Sequence, residues 1–276
     1  MTEEMSGGCC GGREERVSKD ALAVAGAILL GSIVIAATMY IVSPKVSTVA
    51  APAAADTAKQ QPGEEKPEVT MDMVKGLFGK GSVSFGDVNS KVVFTEFSDP
   101  SCPFCHVAAG KNPGLNKEIN AQFVMVQDGG SYVAPVPEMK KLVEEGKAGF
   151  VWVYNDGHGN GRLASEALYC AHEKGKFWEV HDLLMSGAGY KMVNETVKND
   201  RKKSGVLADF LKSAVKPADM KACIDSGKYT KRLTEDMAVA QAFGSGGTPA
   251  FFVNTTLFSG AYSFKDIQST VDQFLK

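Results

Sequence analysis

The sequence predicts an α/β protein: a small mixed sheet interrupted by a helical subdomain, preceded by one N-terminal transmembrane helix. Three observations carry this. Residues 21–43 form one uncharged apolar run. Beyond it, two short runs rich in β-branched and aromatic residues bracket a helically spaced segment. A long block of helical spacing then separates these runs from a later apolar pair. Strands alternating with helices favour a layered sheet with parallel pairing and right-handed crossovers.

The apolar run reads ALAVAGAILLGSIVIAATMYIVS, with no charge between Asp20 and Lys45. It is long enough to cross a bilayer as a helix, and longer than the apolar core of about 7–15 residues found in a secretory signal. A retained anchor is therefore expected, although the small residues from Ala50 to Ala55 offer a cleavage site as the alternative. Arg13, Arg16 and Lys19 precede the run, and only Lys45 follows it closely. That bias places residues 1–20 as a cytoplasmic tail and the rest of the chain outside, in a single-pass cell-membrane protein. Cys9 and Cys10 then lie in a reduced tail, with acylation as the other reading. Residues 44–68 hold Ala, Pro, Lys, Glu and Gln with no apolar residue larger than Val. Such a stretch buries too little surface to offset its chain entropy, so it reads as a flexible tether to a domain spanning residues 69–276. The net charge of −2 gives no electrostatic reason to expect nucleic acid as a partner.

In the outer domain, Lys91 to Phe97 reads as a buried strand, broken by Ser98-Asp99-Pro100-Ser101. Cys102-Pro103-Phe104-Cys105 follows at once, with Pro103 suited to the first turn of a helix. Pro135 to Gly146 reads as a helix leading into a second strand at Phe150 to Tyr154, parallel to the first. The helical subdomain, about residues 157–244, carries Leu163, Ala167 and Cys170 on one face and Phe177, Val180 and Leu184 on another. Pro217 opens a helix bearing Met220 and Cys223 that stops at Gly227, and a further helix from Tyr229 ends at Gly244. The chain returns to strand at Pro249 to Val253, pairs with Leu257 to Ser259, and closes on a helix from Phe264 to Leu275.

A C-x-x-C where a strand meets a helix has a physical logic. Unpaired backbone N–H groups and the helix dipole favour negative charge on the first cysteine, so Cys102 is the expected nucleophilic thiolate. Cys105 is placed to resolve a mixed disulfide formed on Cys102. The rival reading is half of a zinc site. A structural zinc needs about four ligands, and no second C-x-x-C or suitably spaced histidine pair accompanies His106, His158, His172 and His181. Neither a metal nor an organic cofactor is expected.

The stretch Glu96-Phe97-Ser98-Asp99-Pro100-Ser101-Cys102-Pro103-Phe104-Cys105 resembles the active site of DsbA-type proteins of the thioredoxin superfamily. Gly246-Gly247-Thr248-Pro249-Ala250-Phe251-Phe252-Val253 resembles that family's cis-proline loop, and Tyr169 to Trp178 resembles its helical insertion. The likeness covers roughly residues 80–276 and implies a thioredoxin-like fold. It also implies a cis Pro249 facing the cysteines, with Thr248 offering backbone groups to an extended substrate peptide in the manner of strand addition. Pro103 and Phe104 would flank that substrate. Glu96 takes the position of a buried acid that moves protons at the buried cysteine; a surface charge at a strand end is the plain alternative. Some relatives staple the helical insertion, so the resemblance together with an oxidising compartment implies a Cys170–Cys223 disulfide rather than two buried thiols. The chain departs from the family pattern in a longer segment between His106 and Val133, beside the cysteines, and in Asn254-Thr255-Thr256 after the last buried strand. The latter has the form of a sequon, but no glycan is expected.

The function this implies is disulfide formation in exported proteins. The expected partners are those cysteine-containing substrates, a membrane redox protein that resets the cysteines, and the lipid bilayer through residues 21–43. A reductase or isomerase using the same residues is the alternative, because Pro103 and Phe104 do not set the direction. A tethered binding module without catalysis is the third reading.

Overall fold

The computed structural model describes residues 68–79 and 81–276. The expected cytoplasmic tail, transmembrane helix and nearly all of the tether lie outside the described residues. Among the described residues, no helix is long and apolar enough to cross a membrane.

The described chain starts with helix α1, Met71–Gly76, whose first turn is capped by the Thr70 hydroxyl accepting from Met73 N–H. Strand β1, Val83–Phe85, precedes β2, Val92–Ser98. Helices α2 (Pro103–Ala109), α3 (Pro113–Ile119) and α4 (Pro135–Glu144) lead to β3, Ala148–Tyr154. Each of these three helices starts on a proline, where the missing N–H would find no intrahelical partner anyway. The helical subdomain comprises α5 (Arg162–His172), α6 (Phe177–Leu184), α7 (Gly187–Lys191), a π-helical turn (Met192–Val197), α8 (Ser204–Phe210), α9 (Pro217–Asp225) and α10 (Thr230–Ala242). Strands β4 (Ala250–Val253) and β5 (Thr256–Ser259) then form a hairpin, and α11 (Phe264–Leu275) closes the domain.

The five strands are ordered β1-β3-β2-β4-β5. The central pair β2 and β3 is parallel, with Phe94 opposite Phe150 and Glu96 opposite Trp152; the other pairings are antiparallel. Every residue of β2 and β3 is buried, which explains why their sequences are nearly continuous apolar runs. Alternation along the strands sorts them between two cores. Phe94, Phe150, Trp152 and Phe251 pack beneath α4, α5, α6 and α11, while Val93, Phe97, Val153 and Phe252 pack against α1 and α10. Truncating a ring such as Phe97, fully buried against Phe243 and Phe252, costs about 3–5 kcal/mol in comparable cores.

Two stretches differ from the sequence expectation. Strand β1 is absent from it, because a three-residue edge strand between Gly81 and Gly86 is too short to show a period. The second is α3, Pro113–Ile119, seven residues inside the longer segment after His106, where Gly114 and Asn116 blur the helical spacing. In the β4–β5 turn, Asn254 sits at φ 53 with its side chain buried: Oδ1 accepts from Val93 N–H and Nδ2 donates to Lys91 O. That amide is occupied in tying two strands together.

Candidate active site

Strand β2 ends at Ser98, and the next four residues turn the chain so that Cys102 caps α2 in an extended conformation. Asp99 builds this turn. Its buried carboxylate accepts from Ser101 N–H and Oγ at 2.8 Å each, and from Gly157 and His158 N–H at 2.9 Å each. It therefore joins the cysteine loop to the loop after β3. Gly161 lies so close that a Cβ there would overlap Asp99 Oδ1 at 1.7 Å. In the sequence, Asp99 reads only as part of a strand break; its role depends on burial, which a single sequence does not display.

The structure brings Cys102, Cys105, Thr248 and Pro249 together. Both cysteines are buried and unbridged. The Thr248–Pro249 bond is cis, and Cys102 Sγ lies 3.2 Å from Thr248 O, to which it donates when it is a thiol. Cys105 Sγ accepts from Asp99 N–H at 3.4 Å. Pro103 is the first residue of α2, and Phe104 is exposed, its ring edge-on to Phe123 of the longer segment after His106. That segment folds over α3 and two 3₁₀ turns and packs beside the cysteine motif.

The two thiols are displaced in opposite directions. Cys102 is lowered to about 6, first because the Cys105 thiol donates to its thiolate. The Thr248 hydroxyl, which has no other protein partner, and the His158 charge add to this against the effect of burial. Cys105 is pushed well above an ordinary thiol, chiefly by burial and then by its neighbour Cys102. A thiolate at Cys102 and a thiol at Cys105 is thus the stable reduced arrangement.

Glu96 lies on the Phe94 face of β2, buried, opposite Trp152 and Phe251. Neither carboxylate oxygen makes a hydrogen bond to protein, and Ser98 Oγ on the same face is likewise without one. Burial raises the Glu96 carboxyl, with His181 and then the nearby Ser98 opposing. The surface-charge alternative for Glu96 is thereby removed, while a proton role stays a matter of chemistry. His106 is buried with Nδ1 2.8 Å from Met185 O and Nε2 2.9 Å from Pro100 O. Burial lowers it to about 4, so at neutral pH it ties α2 to its surroundings as an uncharged ring.

Away from the cysteine pair, Cys170 of α5 and Cys223 of α9 form a disulfide across 53 residues. Among the described residues, no group of three or more His, Cys, Asp or Glu side chains is arranged to hold a metal ion.

A thioredoxin family model matches residues 137–273. The structure superposes on oxidised BdbD of Bacillus subtilis with a TM-score of 0.52 at 23% identity, covering 71% of this chain and 94% of that one. It superposes on Chlamydia trachomatis DsbA with a TM-score of 0.51 at 20% identity, covering 71% and 92%. The fold is thioredoxin-like, with a helical insertion. A Rickettsia bellii protein named as a protein-disulfide oxidoreductase is 24% identical over 228 residues, 82% of this chain and 76% of that protein. Two Salinispora proteins named as Na⁺/H⁺ antiporters also match at 24% identity; the chain's match spans 24% of the length of each. The segment from α5 to α10 is inserted between β3 and β4, and the cis Thr248–Pro249 bond stands just before β4.

Proposed function

We propose that this chain is a thiol–disulfide oxidoreductase that introduces disulfides into cysteine-containing proteins on the outer side of the membrane. The observation that carries the reading is the placement of Cys102 at the cap of α2, 3.2 Å from Thr248 O beside the cis Pro249, with Cys105 buried one helical turn on. In the oxidised form a substrate thiolate attacks Cys102 Sγ. The Cys102–Cys105 bond breaks, its electron pair leaves on Cys105, and Cys105 takes up a proton. A second substrate thiolate then attacks the substrate sulfur of the mixed disulfide and expels Cys102, which leaves as a thiolate because its thiol is a comparatively strong acid. The substrate is oxidised by two electrons and the cysteine pair reduced by two. Because the reduced form is stabilised at Cys102, the pair is an oxidant relative to an unperturbed dithiol.

Substrate enters as an extended peptide at Thr248. Its backbone displaces the Cys102–Thr248 contact and so uncovers the nucleophile, with Phe104 alongside. A membrane redox protein reoxidises the pair. The uncharged run at residues 21–43 anchors the chain with the catalytic domain outside the cytoplasm, where a Cys170–Cys223 bridge persists. The test is to mix the oxidised full chain with a reduced peptide carrying two cysteines. The peptide disulfide is expected with the native chain and not with Cys102→Ser. Cys105→Ser, given the oxidised peptide, is expected to hold it as a mixed disulfide on Cys102. No peptide oxidation by the native chain would contradict the reading.

A further inference from the structure

Ser101, the residue before the nucleophile, is buried, and its polar groups all have partners. Its N–H and Oγ donate to Asp99 Oδ1 at 2.8 Å each. Its carbonyl accepts from Asn194 Nδ2 at 3.2 Å, and among the described residues no other protein donor reaches it. Asn194 Oδ1 in turn accepts from Asn160 Nδ2 at 3.3 Å. Asn160 stands two residues after His158, whose N–H donates to Asp99 Oδ2 at 2.9 Å. These contacts close a ring from Ser101 through Asp99, His158, Asn160 and Asn194 back to Ser101. Three separate segments meet in it: the cysteine loop, the loop after β3 and the π-helical turn of the insertion. That turn is unfavourable by itself. Lys198 N–H donates to Val193 O, five residues back, at 3.0 Å, and Lys198 and Asn199 then adopt left-handed backbone at φ 48 and φ 60. A π-turn is rare, and non-glycine residues in that region persist only where their surroundings hold them. Asn199 supplies the hold: Oδ1 accepts from Leu163 N–H at 3.0 Å, and Nδ2 donates to Gly159 O. The turn is thus tied to the loop after β3 at Asn194 and again at Asn199.

We propose that Asn194 is a positioning residue for Cys102: its amide fixes the Ser101–Cys102 peptide plane, and through it the direction of the Cys102 side chain. This rests on the exchange reading above and adds to it a residue of the helical insertion. The plane is held from both sides. Cys102 N–H donates to Asp99 O at 3.0 Å, and the carbonyl on the opposite side accepts from Asn194. With the plane fixed, Cys102 stays extended at the cap of α2, at φ −79 and ψ 122, with Sγ 3.2 Å from Thr248 O. Without Asn194 the buried carbonyl loses its protein partner and turns toward water, which carries Cys102 out of line with Cys105 and with an incoming sulfur. An amide suits the position, because it donates to one group and accepts from another at once. A carboxylate of the same shape only accepts, and it would meet the Ser101 carbonyl as a second acceptor. The titratable groups facing Cys102 are Cys105 of α2, His158 of the loop after β3 and Tyr190 of α7; substitution of either asparagine leaves all three in the chain. Asn194 and Asn160 do not touch the reacting sulfurs.

The test follows two quantities on the full chain: the Cys102 titration, read by thiolate absorbance of the reduced form, and the rate at which the oxidised form oxidises a reduced two-cysteine peptide. Asn194→Ala is expected to slow exchange by roughly tenfold. It is also expected to move the titration upward, because Cys102 leaves the donors at Cys105 and Thr248. Asn194→Asp keeps the shape and loses the donor, so it is expected to do no better than Asn194→Ala. Asn160→Ala removes only the anchor of Asn194 and is expected to act in the same direction to a lesser degree. Added to Asn194→Ala it is expected to change nothing further, since both act through one ring. A native titration and rate in Asn194→Ala would overturn the proposal. So would a rate loss that follows the unfolded fraction while the folded chain titrates at its native position, because that marks a structural role alone. If Asn194→Ala fails to fold, the same two readouts on Asn160→Ala settle the matter in the same way. The titration needs no substrate, so the two failures separate. A native chain that does not oxidise the peptide removes the exchange reading, while an unmoved titration in the folded variants removes the positioning role.

Discussion

Cys102 and Cys105 carry the same side chain within a single helical turn, yet their surroundings pull them apart. Cys102 faces donors at its thiolate, while Cys105 faces apolar side chains and a neighbouring negative charge. Thiolate absorbance of the reduced chain is therefore expected to rise in a single step centred near pH 6. A step at the ordinary thiol position would contradict the geometry. The sign of the linkage follows: Cys102 is lower in the folded than in the unfolded chain, so its contribution to the stability of the reduced form is full above about 9 and is lost as pH falls through about 6. Glu96 runs the other way. Its folded value is raised, so the unfolded chain ionises first, and stability falls as pH climbs from 4.5 through the folded value. Denaturation of the native chain and Glu96→Gln at acid and alkaline pH is expected to show the variant gaining relative stability as pH rises. A constant difference would contradict a buried, unpaired carboxyl. At this scale the sequence displays Cys102 and Cys105 through residue type and spacing, and Thr248 and Pro249 through the resemblance of their loop. It hides Asp99, whose importance arises from burial and from Gly157, 58 positions away, and His106, which lies between carbonyls of two separate segments.

Helix α5 is the element on which the insertion hangs. Its Cys170 is bonded to Cys223 of α9, and its Glu166 is buried against Arg201 and Thr230. Replacing both cysteines by Ala is expected to lower stability by about 4 kcal/mol, from the chain entropy of the 53-residue separation. The comparison is by denaturant melts of the oxidised chain and the double variant, and an unchanged midpoint would show that the bridge constrains nothing. The first turn of α5 also touches the chemistry. A methyl at Gly161 displaces the Asp99 carboxylate, which holds Ser101 and His158. Gly161→Ala is expected to raise the Cys102 titration and slow exchange while leaving the Cys170–Cys223 bridge intact, as read by thiolate absorbance and non-reduced mass mapping. The central strands and the longer helices are visible in sequence because burial on both faces or on one stripe leaves a period. Strand β1 and helix α7 leave none, since three and five residues are too few to repeat.

At the scale of the whole chain, the thioredoxin-like fold brings two distant loops together. Strand β2 delivers the cysteine loop, and its neighbour β4 delivers Pro249. Because the two strands are antiparallel, the end of one meets the start of the other. The uncharged run at residues 21–43 sets the expected compartment, and the cysteines set the expected direction. Both meet in one quantity, the reduction potential of the Cys102–Cys105 pair in the full chain, measured against glutathione with the Cys170–Cys223 bridge left closed. A thiolate held at Cys102 raises it, so the expected value lies above that of thioredoxin, about −270 mV. A value at or below about −270 mV would contradict an oxidising role and make the chain a reductase.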